Sequence, residues 1–182
     1  MKIAAHAKQN VETTELYLTA VAQSMAANHV RLYGQFAVGG DDLDEPALAS
    51  ITLAMPPARR SVDPEVATIE SHRNTVAALL VKKHRDRRPE ADVNVVELGI
   101  GSAMAATSAG EYRMPPEVTG QDQVVVRPQF KAEFQIPAPE GVKIIVLAVT
   151  TDNEAGWPTV AAAAMRIANS IRFEASVDEA GS

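Results

Sequence analysis

Hydrophobic positions recur along this chain with two periods, and each change of period marks a change of element. From Val11 to His29, Leu16, Ala20, Val21, Met25 and Ala27 fall at helical spacing, and Glu12 and Glu15 suit the positive end of a helix dipole. One amphipathic helix is expected there. Val30 to Val38 then alternates with one slip, Leu32, Gln35 and Ala37 opposing Tyr33, Phe36 and Val38. Gly39-Gly40 and the acidic residues Asp41, Asp42, Asp44 and Glu45 follow, then a second apolar run from Leu48 to Met55 stopped by Pro56-Pro57. The two runs read as a β-hairpin.

The next helix is the most clearly punctuated. Asp63 can cap it, Pro64 fits its first position, and Val66, Ile69, Val76 and Leu80 form its stripe, which ends in a basic run before Pro89. Val93 to Ile100 and Ala103 to Thr107 read as two strands around a Gly99-Ile100-Gly101-Ser102 corner, and Gly110 to Gln123, with Pro115, Pro116 and Gly120, reads as a loop. The clearest alternation follows. Phe130, Ala132, Phe134 and Ile136 point toward a core, and Gln129, Lys131, Glu133 and Gln135 point toward water. After a Pro137–Gly141 turn, Val142 to Thr150 is almost wholly apolar, as a central strand is. Trp157, Val160, Ala164, Ala168 and Ile171 then give a helical stripe over about 156–171, and the small run Ala161–Ala164 allows close approach to a sheet. Residues 175–182 read as a polar tail.

The expected fold is therefore α+β: one domain over 1–182, with a curved antiparallel sheet of about six strands flanked by helices over 63–86 and 157–171. The helix over 11–29 is expected to pack at one edge or to mediate contacts in a homodimer.

Length and composition narrow the function. A chain of 182 residues buries a sizeable core without staples, and it contains no cysteine, so disulfides and thiolate metal sites are excluded. Met1 to Asn10 is not followed by the apolar run of a secretory signal, and apolar runs such as Ile144 to Val149 are far short of the ~20 residues that span a bilayer. A cytoplasmic protein with no membrane role is expected. A net charge of −6 and few aromatic residues argue against nucleic acid as a partner.

Three features carry candidate chemistry. Lys82, Lys83, Arg85, Arg87 and Arg88 surround His84; they read first as a solvated helix end matched to the dipole, and second as a docking patch for an acidic protein partner. Glu97, Gly99 and Gly101, in Val95-Val96-Glu97-Leu98-Gly99-Ile100-Gly101-Ser102-Ala103, resemble the first motif of S-adenosylmethionine-dependent methyltransferases. That family would place these residues against the cofactor, after a strand and before a helix. Here an antiparallel corner is the preferred reading, so no cofactor is expected. His6, His29, His72 and His84 have no metal-ligand spacing, and Ser50, Ser102 and Ser108 lack a nucleophile elbow, so no catalytic residue is assigned.

The C-terminal half carries a second resemblance. The strand PQFKAEFQIPAPEG, the strand VKIIVLAVTT, an acidic break and a helix ending NSIRFE resemble the close of PsbP-like domains of the DcrB and LpqN type. The resemblance spans about Val30 to Glu174 and implies an antiparallel sheet flanked by helices and a protein-binding role, in some members that of a chaperone for secreted effectors. LpqN lipoproteins have a signal and a lipid-accepting cysteine, which this sequence lacks. The expected function is a non-catalytic protein-binding module, an adaptor or secretion chaperone, with a small-molecule enzyme or binder, such as an S-adenosylmethionine-dependent methyltransferase, as the alternative.

Overall fold

Six alternating segments become six strands: β1 (Val30–Val38), β2 (Ala47–Ala54), β3 (Asp92–Leu98), β4 (Gly101–Met114), β5 (Val125–Pro137) and β6 (Ile144–Thr151). The computed structural model describes residues 19, 21–40, 44–56, 73–138 and 143–173. The strands form one open sheet in the order β1-β2-β6-β5-β4-β3, every neighbouring pair antiparallel. Among the described residues, three helices follow β1: α1 (Arg73–Arg87), α2 (Pro116–Thr119) and α3 (Trp157–Ser170). This is the α+β architecture expected. Residues 21–27 are helical and lead into β1; the rest of the helix expected over 11–29, and the start of the one expected from Asp63, lie outside the described residues.

The two long helices take opposite faces. On β4, Ala103 belongs to the core under α3, with Val160, Ala163, Ala164 and Ala168. Its neighbour Met104 and Ala106 join Val93 and Val81 of α1 instead. Strand side chains alternate between faces, so this split at consecutive residues puts one helix on each side. The α3 core is the larger, built on Phe134, Ile136, Ile145, Leu147 and Val149.

The approach of α3 is close because its contact residues are small. Gly156, just before it, leaves so little room that an added Cβ would collide with the Cβ of Ala47. Its N–H donates to Asn153 Oδ1 (2.7 Å), and its carbonyl accepts from Val160 N–H (3.0 Å). Trp157 stacks on Phe130, with ring centroids 5.8 Å apart.

Four expectations are corrected. The slip in β1 sits at its start, where the register shifts between Val30 and Leu32; Leu32 therefore pairs with Leu53 and shares the α3 face with Phe36. The stripe of α1 is centred on Ala77 and Val81, with Val76 and Leu80 only half-buried, because the smallest side chain faces the sheet most closely. Lys131, Glu133 and Gln135 do not face open water; all three are half-buried. Finally, Gly110 to Met114 is strand, not loop. These residues extend β4 far beyond its pairing with β3, held by β5 alone.

Gly156→Ala is expected to cost about 1–3 kcal/mol of stability, since a methyl group forced against Ala47 must displace the helix. A shift in the urea midpoint with unchanged slope would register it; an unaffected midpoint would mean that α3 seats more loosely than this contact implies.

Candidate functional site

The glycine motif is a hairpin corner. Leu98 and Gly101 are Cα partners across the turn from β3 to β4, and Gly101 adopts φ 111°, a conformation open to glycine. No helix follows β3, so Glu97, Gly99 and Gly101 lack the strand–turn–helix setting of a methyltransferase motif. The groups that would meet a cofactor are also engaged elsewhere. The N–H of Gly99 donates to Asn169 Oδ1 of α3 (2.7 Å). Glu97 accepts from the hydroxyl of Ser102, which also contacts Asn74 at the start of α1.

The structure divides the basic run. His84 turns inward, its Nδ1 3.9 Å from Glu133 Oε1. Arg85 reaches over the sheet edge and donates to the carbonyl of Val93 on β3. Lys82, Lys83, Arg87 and Arg88 remain exposed. Lys82 and Arg85 border a shallow hollow of about 420 Å³ with Asp86, Asn94 and Val95. Of the five cations named from the sequence, Arg85 satisfies a sheet edge, and Lys82, Lys83, Arg87 and Arg88 face solvent.

Beneath α1 lies a charged cluster on β5. Glu133 accepts from Lys131 and from Gln135 Nε2 (2.8 Å) and faces His84. Burial alone would raise the Glu133 carboxyl, but the Lys131 charge, the hydrogen bonds from Lys131 and Gln135 and the His84 charge outweigh it, holding the carboxyl below its ordinary value of 4.5. Among the described residues no group of three or more His, Asp or Glu side chains is arranged to hold a metal ion. Of the histidines, His29 and His84 are described, and His29 sits at φ 57° in the turn before β1.

A concavity of about 570 Å³ was not anticipated. It lies on the sheet face that α1 only half covers. Gln35 of β1, Ser50 and Thr52 of β2, Thr150 of β6 and Gln129 of β5 line it. Tyr33, Leu48 and Tyr112 stand around them, more than half exposed at 53%, 68% and 51%. Tyr112 belongs to the two-stranded arm formed where β4 and β5 outrun their other neighbours: β3 ends opposite Thr107, and β6 ends opposite Phe130. Arg127 of the arm binds Asp152 beyond β6 (2.9 Å), which ties the arm to the sheet. Reading 110–123 as a loop hid this surface, because the alternation Gly110, Tyr112, Met114 contains too few apolar residues to signal a strand.

Glu133→Gln is expected to lower stability by about 1.5–3 kcal/mol near neutral pH, the range for a hydrogen bond to a charged group. Because the folded carboxyl titrates low, its contribution is complete above 4.5 and vanishes as the pH falls through the lower folded value. The gap between wild type and variant should therefore close as pH drops below 4.5, in denaturant titrations at stepped pH; a gap that persists in acid would assign the loss to packing.

No protein family model, no curated protein and no solved structure matches this chain.

Proposed function

We propose that this protein is a non-catalytic protein-binding module and that the half-open sheet face is its binding surface. The observation that carries the reading is the placement of Tyr33, Leu48 and Tyr112, three large exposed side chains, around one concavity with a polar floor. Aromatic anchors around hydrogen-bonding groups suit protein recognition, where tyrosine offers a rigid apolar body with a polar tip.

The partner that fits is an amphipathic helix. Strands lie about 4.8 Å apart, so one helix of about 10 Å diameter covers two to three of them. On this face α1 contacts β3, β4 and β5, and among the described residues β1, β2 and β6 are left for a second helix laid beside it. Such a helix would set apolar residues at i, i+3 and i+4 against Leu48 and the tyrosines and place its polar flanks over Ser50, Thr52 and Thr150. The PsbP-like resemblance supports a binding role, and an adaptor or secretion-chaperone task in the cytoplasm belongs to the same proposal. The exposed cations Lys82, Lys83, Arg87 and Arg88 would add attraction for an acidic flank of that partner.

Affinity capture with wild type and with Leu48→Glu/Tyr112→Glu as baits tests the proposal. Proteins retained by wild type should be lost by the double variant and only weakened, at low salt, by Lys83→Glu/Arg87→Glu, whose charges act on the encounter. Equal retention by the double variant would overturn the surface assignment. Calorimetric titration with S-adenosylmethionine is expected to give no heat of binding, and micromolar affinity would favour the enzyme reading instead.

A further inference from the structure

The two edges of the sheet are finished differently. At the β3 edge, Arg85 of α1 donates to the carbonyl of Val93, and the strand carries Asp92, Asn94 and Glu97. These are devices that blunt an edge against further pairing. At the other edge, β1 offers nine residues, VRLYGQFAV, with no proline, no lysine and no acid, and Arg31 as its one charge. Among the described residues no strand pairs with its outer side. Leu32 and Tyr33 are 50% and 53% exposed on it.

Gly34, at the midpoint of β1, has no explanation among the described residues of one copy. Its φ is not in the positive range, and an added Cβ would meet Ile51 Cγ2 at 3.7 Å, an ordinary contact. Glycine inside a strand weakens it, and it marks places where another backbone comes close. We propose that the outer edge of β1 pairs antiparallel with β1 of a second copy, about a two-fold axis beside Gly34.

The register follows from symmetry. A two-fold axis normal to the sheet keeps each face continuous, so directly opposed residues share a face and the axis passes beside a residue. Pairing all nine residues of Val30–Val38 requires that residue to be Gly34. Tyr33 then lies opposite Gln35 of the second copy, and Leu32 opposite Phe36. The exposed Leu32 thereby gains an aromatic neighbour on the α3 face, where it now has solvent. Gly34 meets itself, the one position where any side chain would confront its own duplicate. Arg31 is directed toward the turn of the other copy that carries Asp44 and Glu45, so the contact is attractive between two chains that each bear −6.

Sedimentation equilibrium of the full chain from about 1 μM to about 200 μM tests this. Wild type is expected to dimerise in that range. Tyr33→Glu/Gln35→Glu sets like charges opposite each other twice, and should raise the dimer dissociation constant by at least about tenfold. Tyr33→Lys/Gln35→Glu sets opposite charges there and should restore the dimer. Both side chains are exposed, and thermal melts followed by circular dichroism verify that each variant folds. A wild type that is monomeric throughout overturns the proposal, as does a double glutamate variant that dimerises like wild type. A monomer whose β1 amides resist hydrogen exchange would also overturn it, by assigning the edge to another segment of the same chain. Oligomeric state is read without any partner protein, so this outcome is independent of whether the open face binds a helix.

Discussion

Everything else in this molecule hangs on three cross-strand pairs at the centre of the sheet. Ala132 with Val149, Phe134 with Leu147 and Ile136 with Ile145 join β5 to β6, and all six side chains are at most 5% exposed beneath α3. Burial of an aliphatic or aromatic side chain contributes about 1.5–3 kcal/mol, so this small area outweighs any surface interaction in the chain. It also dictates what may lie above it. Val160, Ala164 and Ala168 complete the layer because small residues let α3 settle onto bulky strand side chains, and Gly156 permits the same closeness where the helix begins.

Once that layer is closed, the reverse face has its own problem. The side chains between those core residues include Lys131, Glu133 and Gln135, and α1 lies over part of them. A charge taken from water must be paired, and Glu133 is met by Lys131, Gln135 and His84. The residues of α1 thus divide their work: Ala77 and Val81 pack, His84 and Arg85 satisfy polar groups, and the remaining cations stay in solvent. A helix end that looks like a uniform basic patch is partly committed to the fold.

The same face leaves β1, β2 and β6 uncovered by α1, next to an arm made of the overlong parts of β4 and β5. Two kinds of surface result: a broad face ringed by tyrosines and leucine, and a strand edge without blunting residues. They suit different contacts, the face a side-chain docking and the edge a backbone ladder. Both lie on or beside β1, which makes that strand the meeting point of the two proposed interactions.

The elements can be read from local pattern wherever one face of a strand or helix is buried and the other wet. Phe130 to Ile136 and the stripe from Trp157 to Ile171 were legible because burial writes a period of two or of about 3.6 into the residues, and Ile144 to Thr150 because a strand in the middle of a sheet is almost wholly apolar. The antiparallel class was legible from short turns, and the Gly99-Gly101 motif could be read as a corner because no helical pattern follows it. The arm at Gly110–Met114 was not legible: it is paired by backbone alone and buries little, so it leaves no period to detect. Nor were the partners of Glu133, since alternation places a side chain on a face without saying what covers that face. Whether Arg85 would cap an edge strand, and whether Tyr33, Leu48 and Tyr112 would surround one concavity, depended on bringing together residues dozens of positions apart. Those contacts come from the packed fold, because proximity across strands is fixed by register and layer order, which local pattern does not encode.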